Sequence, residues 1–369
     1  MNRERALQAI NGQYSDVIPH WESFHNPAYI ETYLGIDPYK ESLKATQELL
    51  RSHPIDVAVV GYSDSTILRP ATEKDGMVLD EQGKKLPRWG TGVTEHWTWG
   101  DGFTDIEDVL AYDPLSEMNF VGKGFVADYD FSLSADELAK VFQKQIDTQR
   151  NLFGDTALEL AGLYNTLFMW PMLTFGWENL LLLCGGYPAE MKRLLAGFAQ
   201  RSRRVFEAIA LTDTPLVWSH DDICCTRGPV VSPQWLREFV YPYYEEFWSI
   251  VRSTGKKVLF ISDGDVTTIA SDIFSLGADG ILSEPHTNWE ELAEKYPEKI
   301  LLGQGDCRVL ATNDPSRIRA MVRHMAKTAR NCPGYFMHIG NLITHTLTPQ
   351  SIRIYFEAAA EYCTRTSVI

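Results

Sequence analysis

The 369-residue chain lacks the usual marks of a secreted, membrane or nucleic-acid-binding protein. Its six cysteines (184, 224, 225, 307, 332 and 363) are scattered without the paired spacing of a disulfide framework. The opening MNRERALQAINGQ has no apolar core of a secretory signal. Together these predict a cytoplasmic protein with reduced thiols. One of its most apolar runs, LLLLCGG at 180–186, is far short of the roughly 20 residues that span a bilayer. Basic residues are outnumbered: 34 Lys and Arg face 49 Asp and Glu, for a net charge of −15. Such a chain repels phosphate backbones and anionic lipid, which argues against nucleic-acid and membrane-surface partners. There is no low-complexity stretch, no Ser/Gly linker and no short-period repeat. Aromatics, at 12%, are spread along the chain and leave no room for a long disordered tail.

What is present is an alternation. Short β-rich apolar runs lie at 17–21 (VIPHW), 55–60 (IDVAVV), 157–162 (ALELAG) and 215–219 (PLVWS). Four more follow at 257–262 (KVLFIS), 280–283 (GILS), 299–303 (KILLG) and 335–339 (YFMHI). Between most of them the apolar residues recur at helical spacing. Segments 188–210, 232–254, 266–276, 315–330 and 349–363 read as helices. Ser232, Asp314 and Thr348 each precede a proline, which predicts an N-cap followed by Pro at the first helical position. Residues 66–104 break the rhythm with six glycines, alternating aromatics and a hairpin-like DEQGKK at 80–85. Residues 105–150 return mostly to helix.

Eight strands alternating with helices predict an α/β fold, a (βα)8 TIM barrel spanning 1–369 as one domain. It carries an N-terminal helical extension and a β-hairpin insertion at about 66–104. An open doubly wound sheet is the competitor, but its dinucleotide-binding form needs a GxGxxG turn that is absent here. A barrel puts its chemistry at the C-terminal ends of its strands. The residues there are rich in carboxylates and imidazoles, which suits acid–base work. His220, Asp222, Asp263, Glu284 and His345 are the candidate catalytic groups. His20, Trp21, Asp64, Asn165, Asp265, Asp306, His338 and Asn341 are the candidate substrate-binding groups. A single Asp or Asn after a strand is more often a helix cap, and His338, inside an apolar run, also reads as a core histidine. SHDD at 219–222 is the strongest signal, because burying two acids and a histidine together is costly unless they are used.

Several segments resemble the uroporphyrinogen decarboxylase-like superfamily. RERALQAINGQYSDVIPHWE is similar to its opening, and DDICCTRGPVVSPQWLREFVYPYYEEF to its central signature. KVLFISDGDVTTIASDIFSLGADGILSEP, LLGQGDCRVL and GYFMHIGNLITHTLTPQSI resemble its later units. The resemblance implies a (βα)8 barrel and a homodimer. True decarboxylases of the superfamily carry an arginine-rich first-strand loop that clamps a polyanion. Here HWESFHNPAY holds no arginine at that place, and Arg69, Arg227 and Arg308 are the few arginines near strand-end loops. The chain looks more like the branch of methyltransferases that work with corrinoid proteins. That branch implies methyl transfer between a small methylated or methoxylated compound and a corrinoid carried by a partner protein. Some members hold zinc through a His-x-Cys pair at the fifth strand. That pair falls here on Phe260 and Ser262, so the usual ligands are absent. Another ligand set drawn from Asp222, Asp263, Glu284, His286 or His345 stays open. A decarboxylase or lyase acting on a small non-porphyrin acid is the alternative, with uroporphyrinogen decarboxylase itself behind it.

Overall fold

The computed structural model describes residues 2–60, 77–79, 85–89, 92–93, 103–116, 121–122, 129–131 and 133–365. It is an α/β structure whose principal strands pair in parallel, and it divides into two compact units. The first comprises Met1–Trp97, Gln149–Glu159 and Ser283–Ile369; the second comprises Thr98–Thr148 and Leu160–Leu282.

The eight expected strand regions all pair in parallel. They are β1 (Trp21–Phe24), β2 (Val57–Val60), β3 (Ala161–Leu163) and β4 (Leu216–His220). Then come β5 (Lys257–Ile261), β6 (Gly280–Leu282), β7 (Ile300–Leu302) and β8 (Ile339–Gly340). In the second unit β3 pairs with β4, β4 with β5 and β5 with β6. In the first unit β1 pairs with β2, and Val57 bridges on to Leu158. On the other side of β1, His20 bridges to Met337, and Tyr335 bridges to Leu301 of β7. The first strand begins four residues later than its sequence run. Val17 bridges antiparallel to Thr364 instead, and Pro19 has no N–H to give a ladder.

Helices follow the pattern with three adjustments. The segment 188–210 is one helix, Pro188–Ala210. The segment 232–254 is two, Pro233–Phe239 and Tyr241–Arg252, broken at Val240. Pro242 cannot supply the N–H that a continuous helix needs there. The segment 266–276 shortens to Ala270–Ser275, because Asp265 turns the preceding loop by accepting from Thr267 N at 2.9 Å. Between Ile106–Ala111 and Ala135–Phe153 the described residues are not helical; Val121–Gly122 pairs antiparallel with Tyr129–Asp130. A further helix, Met169–Gly186, is hidden in the sequence because apolar residues surround it, and Gly176 (φ 78°) bends it. The caps are as the sequence predicts. Ser232 accepts from Trp235 N, Asp314 from Ser316 N and Arg317 N, and Thr348 from Ser351 N. In the region of the expected insertion, Met77–Leu79 pairs antiparallel with Lys85–Trp89; the turn residues 80–84 lie outside the described residues. Among the described residues no helix is long and apolar enough to cross a membrane.

Candidate functional site

In a strand, successive side chains point to opposite faces. Along β4 this rule sorts the SHDD run. Ser219 accepts from Trp248 Nε1 at 3.0 Å, and Asp221 accepts from Tyr244 Oη at 2.6 Å. Both partners lie on the helix Tyr241–Arg252, so 219 and 221 face the helices. Trp218 and His220 therefore face the other way.

His220 is gripped from two sides. Its Nδ1 lies 2.8 Å from the Tyr164 carbonyl, and its Nε2 lies 3.2 Å from Asp222 Oδ1. The Tyr164 ring stacks on the imidazole, with centroids 4.1 Å apart and planes 28° apart. Burial works against a charged ring. The Asp222 carboxylate and the Tyr164 carbonyl outweigh it, and they hold the imidazole above the ordinary histidine range. The effect on Asp222 is reciprocal: burial opposes its charge, yet His220 and the Asp263 N–H (2.8 Å) keep it below the usual carboxylate range. The Tyr164 phenol is pushed up, first by burial and then by the Asp222 and Asp263 charges. Three of the five candidate catalytic residues, His220, Asp222 and Asp263, thus meet at the ends of β4 and β5. Tyr164 joins them from the end of β3, with Asn165 next to it in sequence and buried.

The loop after β5 is held by close backbone contact. Gly264 has φ +87°, and a Cβ there would sit 2.4 Å from the Cys225 carbonyl oxygen. Asp265 N donates to that same oxygen at 2.9 Å. A Gly264→Ala variant should therefore lose about 2–3 kcal/mol from strain and overlap. Urea denaturation would measure it, and an unchanged midpoint would show that the loop does not need the contact.

The remaining candidates lie in the first unit, where they do not form one cluster. Glu22 is fully buried and accepts from Tyr355 Oη and from Ile339 N (3.3 Å). Burial pushes its carboxyl up to about 8. His338 is fully buried, with Nδ1 2.6 Å from the Trp21 carbonyl; burial takes it down to about 4. Trp21 packs edge-on against Phe336 at 5.9 Å. His20 packs beside Tyr355 (6.1 Å) and is lowered to about 3 by burial, then by the Arg5 charge. Asp306 caps Cys307–Ala311 and pairs with Arg308 at 2.9 Å. The carbonyl of Glu284 accepts from Trp289 Nε1 at 3.1 Å. His345 acts on half-buried His25, which desolvation first and His345 second bring down to about 4. Asn341 is exposed, in the left-handed region at φ 72°. Asp64 lies outside the described residues.

The family model for uroporphyrinogen decarboxylase (URO-D) matches residues 170–362, which include β4 to β8 with His220, Asp222 and Asp263 but not Tyr164. The chain belongs to the URO-D family. Among solved structures, a methyltransferase from Methanosarcina mazei superposes with a TM-score of 0.61 at 14% identity, covering 98% of each chain. A sugar phosphate isomerase/epimerase from Parabacteroides distasonis gives a TM-score of 0.42 at 10% identity, covering 94% of this chain and 98% of its own. No curated protein matches. In this URO-D family chain the positions expected for a zinc-binding His-x-Cys pair do not fit a metal. Phe260 packs on Tyr244 (5.7 Å) and Trp248 (5.8 Å), so it faces the helices. Ser262 Oγ accepts from Ile223 N at 3.2 Å and donates to the Asp263 carbonyl at 3.1 Å. Both positions serve packing and loop geometry.

Sequence reading left four residues out of the candidate set. Tyr164 stacks on His220, Tyr244 bonds Asp221, and Glu22 is held by Tyr355. For Glu22 a signal existed: it stands two residues from His20, on the same face of the first strand. For Tyr164 one existed too, since it stands two residues past the third strand run; nothing local could reveal Tyr244 or Tyr355, which reach their partners across long stretches of sequence.

Proposed function

We propose that this chain is a methyltransferase built on a closed (βα)8 barrel. It moves a methyl group between a small methylated compound and a corrinoid held by a separate protein. The observation that carries the reading is the His220–Asp222 pair, stacked by Tyr164 and joined by Asp263 at the strand ends. A preorganised group of fixed charges at the mouth of such strands is the arrangement that binds and orients a polar reactant. Membership in the URO-D family and the methyltransferase-like fold support it. The corrinoid would supply the nucleophile that accepts the methyl carbon. The chain's own residues would bind the donor, align its methyl group and fix the charge around the leaving atom.

The test is a turnover assay with reduced cobalamin and a panel of methyl donors, followed by methylcobalamin absorbance. Methyl transfer should appear with at least one donor and fall about 100-fold or more in Asp222→Asn, the size typical of a lost charge-stabilising group. Carbon dioxide release from a small acid, with no methyl transfer, would replace this reading with a carboxy-lyase.

A further inference from the structure

We infer that Thr166 is a positioning residue for the His220–Asp222 pair: it locks the Tyr164 carbonyl as the acceptor of the His220 Nδ1–H and leaves Nε2 as the nitrogen that meets Asp222. This rests on the reading of that pair as the functional site and adds a residue to it. The starting point is the tautomer. A carbonyl oxygen can only accept, so the 2.8 Å contact between Tyr164 O and His220 Nδ1 requires a proton on Nδ1. The other ring nitrogen, Nε2, then faces Asp222 Oδ1 at 3.2 Å. Among the described residues, the Tyr164 phenol, Asp222 and Asp263 are the titratable groups that act on this imidazole. Whatever keeps the Tyr164 carbonyl in place therefore decides which nitrogen is turned toward the carboxylate.

Thr166 holds the loop at three points. Its N–H donates to the His220 carbonyl at 2.9 Å. Its Oγ1 pairs with Ser219 Oγ at 2.8 Å, and its carbonyl accepts from Ser202 Oγ at 2.5 Å. His220 is thus clasped by residues 164 and 166 of one loop, by the first through its ring and by the second through its backbone. Ser219 and Ser202 are fixed in turn by the indole N–H groups of Trp248 and Trp170, each at 3.0 Å. Thr166, Ser202, Ser219 and Trp248 are fully buried. A buried hydroxyl or indole N–H is costly unless matched. Among the described residues this chain leaves the indole N–H of Trp21 and of Trp235 unmatched, yet around Thr166 every such group has a partner. The hydroxyls of Thr148 and Thr174 turn back to the carbonyl four residues earlier, the local habit of threonine. Thr166 instead reaches a side chain 53 residues away, on the strand that carries His220. A local turn needs no such link; the orientation of the Tyr164 peptide does.

The test is nuclear magnetic resonance of the imidazole. Protein with isotope-labelled histidine ring nitrogens gives an N–H signal wherever the ring proton exchanges slowly with water, and His220→Gln assigns the signals of His220. The wild type should show a slowly exchanging proton on Nδ1. In Thr166→Val its exchange should speed up about fivefold or more, the factor that one lost hydrogen bond allows. Thr166→Ser, which keeps the hydroxyl, should stay within about twofold of the wild type. The Nδ1–H of His338, held on the Trp21 carbonyl, is the internal reference, because a merely loosened chain would speed both. Ser202→Ala, which releases the Thr166 carbonyl, is the second variant, with the same acceleration expected; a thermal melt checks that each variant is folded. No slow Nδ1–H at His220 in the wild type, an unchanged rate in both variants, or equal acceleration at His338 would overturn the inference. Turnover plays no part in these readings. A carboxy-lyase activity would therefore replace the proposed methyl transfer and leave Thr166 in its role.

Discussion

Asp221→Ala should cost this protein about 3–5 kcal/mol of stability, although Asp221 takes no part in the proposed chemistry. The carboxylate is fully buried and accepts four hydrogen bonds. They come from the backbone N–H groups of Leu167 (2.7 Å), Phe168 (2.6 Å) and Met169 (2.7 Å), and from Tyr244 Oη (2.6 Å). Those three amides open the helix Met169–Gly186 and have no helical partner of their own. Removing the carboxylate strands all four donors away from water, and each orphan costs about 1–3 kcal/mol. Partial relaxation brings the sum down to the range given. Tyr244→Phe removes one donor and should cost only about 1–2 kcal/mol. The comparison is read from urea midpoints at constant slope. A loss below about 1 kcal/mol for Asp221→Ala would mean that the loop finds other acceptors, and the anchor role would fall. Because Tyr164 immediately precedes this loop, the alanine variant should also loosen the carbonyl that holds His220.

The contrast between Asp221 and Asp222 marks the limit of what sequence reading can reach here. The alternation of β-rich runs and helical spacing is local, so all eight strand regions and the three caps that precede a proline were legible. The candidate site was legible as a region: SHDD and SDGD stand out because buried acids must be matched. Which acid does what depends on a one-residue step that flips the side chain between faces, and on partners such as Tyr244 that sit more than twenty residues away. The same step explains Phe260 and Ser262: the strand was placed correctly, but only the packed helix shows that Phe260 looks away from the site. The break at Val240 was readable in hindsight from Pro242. The helix Met169–Gly186 was not, because a segment apolar on nearly every side has no periodicity to detect.

Glu22→Gln should be the most informative change in the first unit, and its effect should depend on pH. Glu22 has its folded-state pKa at about 8, against an ordinary value of 4.5, because burial outweighs the hydrogen bonds from Tyr355 and Ile339. Between these values the folded chain keeps a proton that the unfolded chain releases. Stability therefore falls as pH rises through that window, and by pH 8.5 the penalty is on the order of 3–5 kcal/mol. Glutamine is isosteric with the protonated acid and can accept from the same donors, so the variant should match the wild type near pH 4 and exceed it above neutrality. Asp56, raised to about 7 by burial against the pull of Arg5, tilts the curve in the same direction. His20 and His338, lowered to about 3 and about 4 by burial, tilt it the other way below the ordinary histidine value. All three are present in both proteins, so their contributions cancel in the difference between the two curves. The difference between the two stability curves from pH 6.5 to 8.5 thus isolates Glu22, and it should grow by about 2 kcal/mol over that range. Parallel curves would show that Glu22 is ionised in the folded protein at neutral pH. Its contact with His338, Nδ1 to Oε2 at 3.8 Å, would then be an ion pair sealed inside the first unit and not a neutral pair.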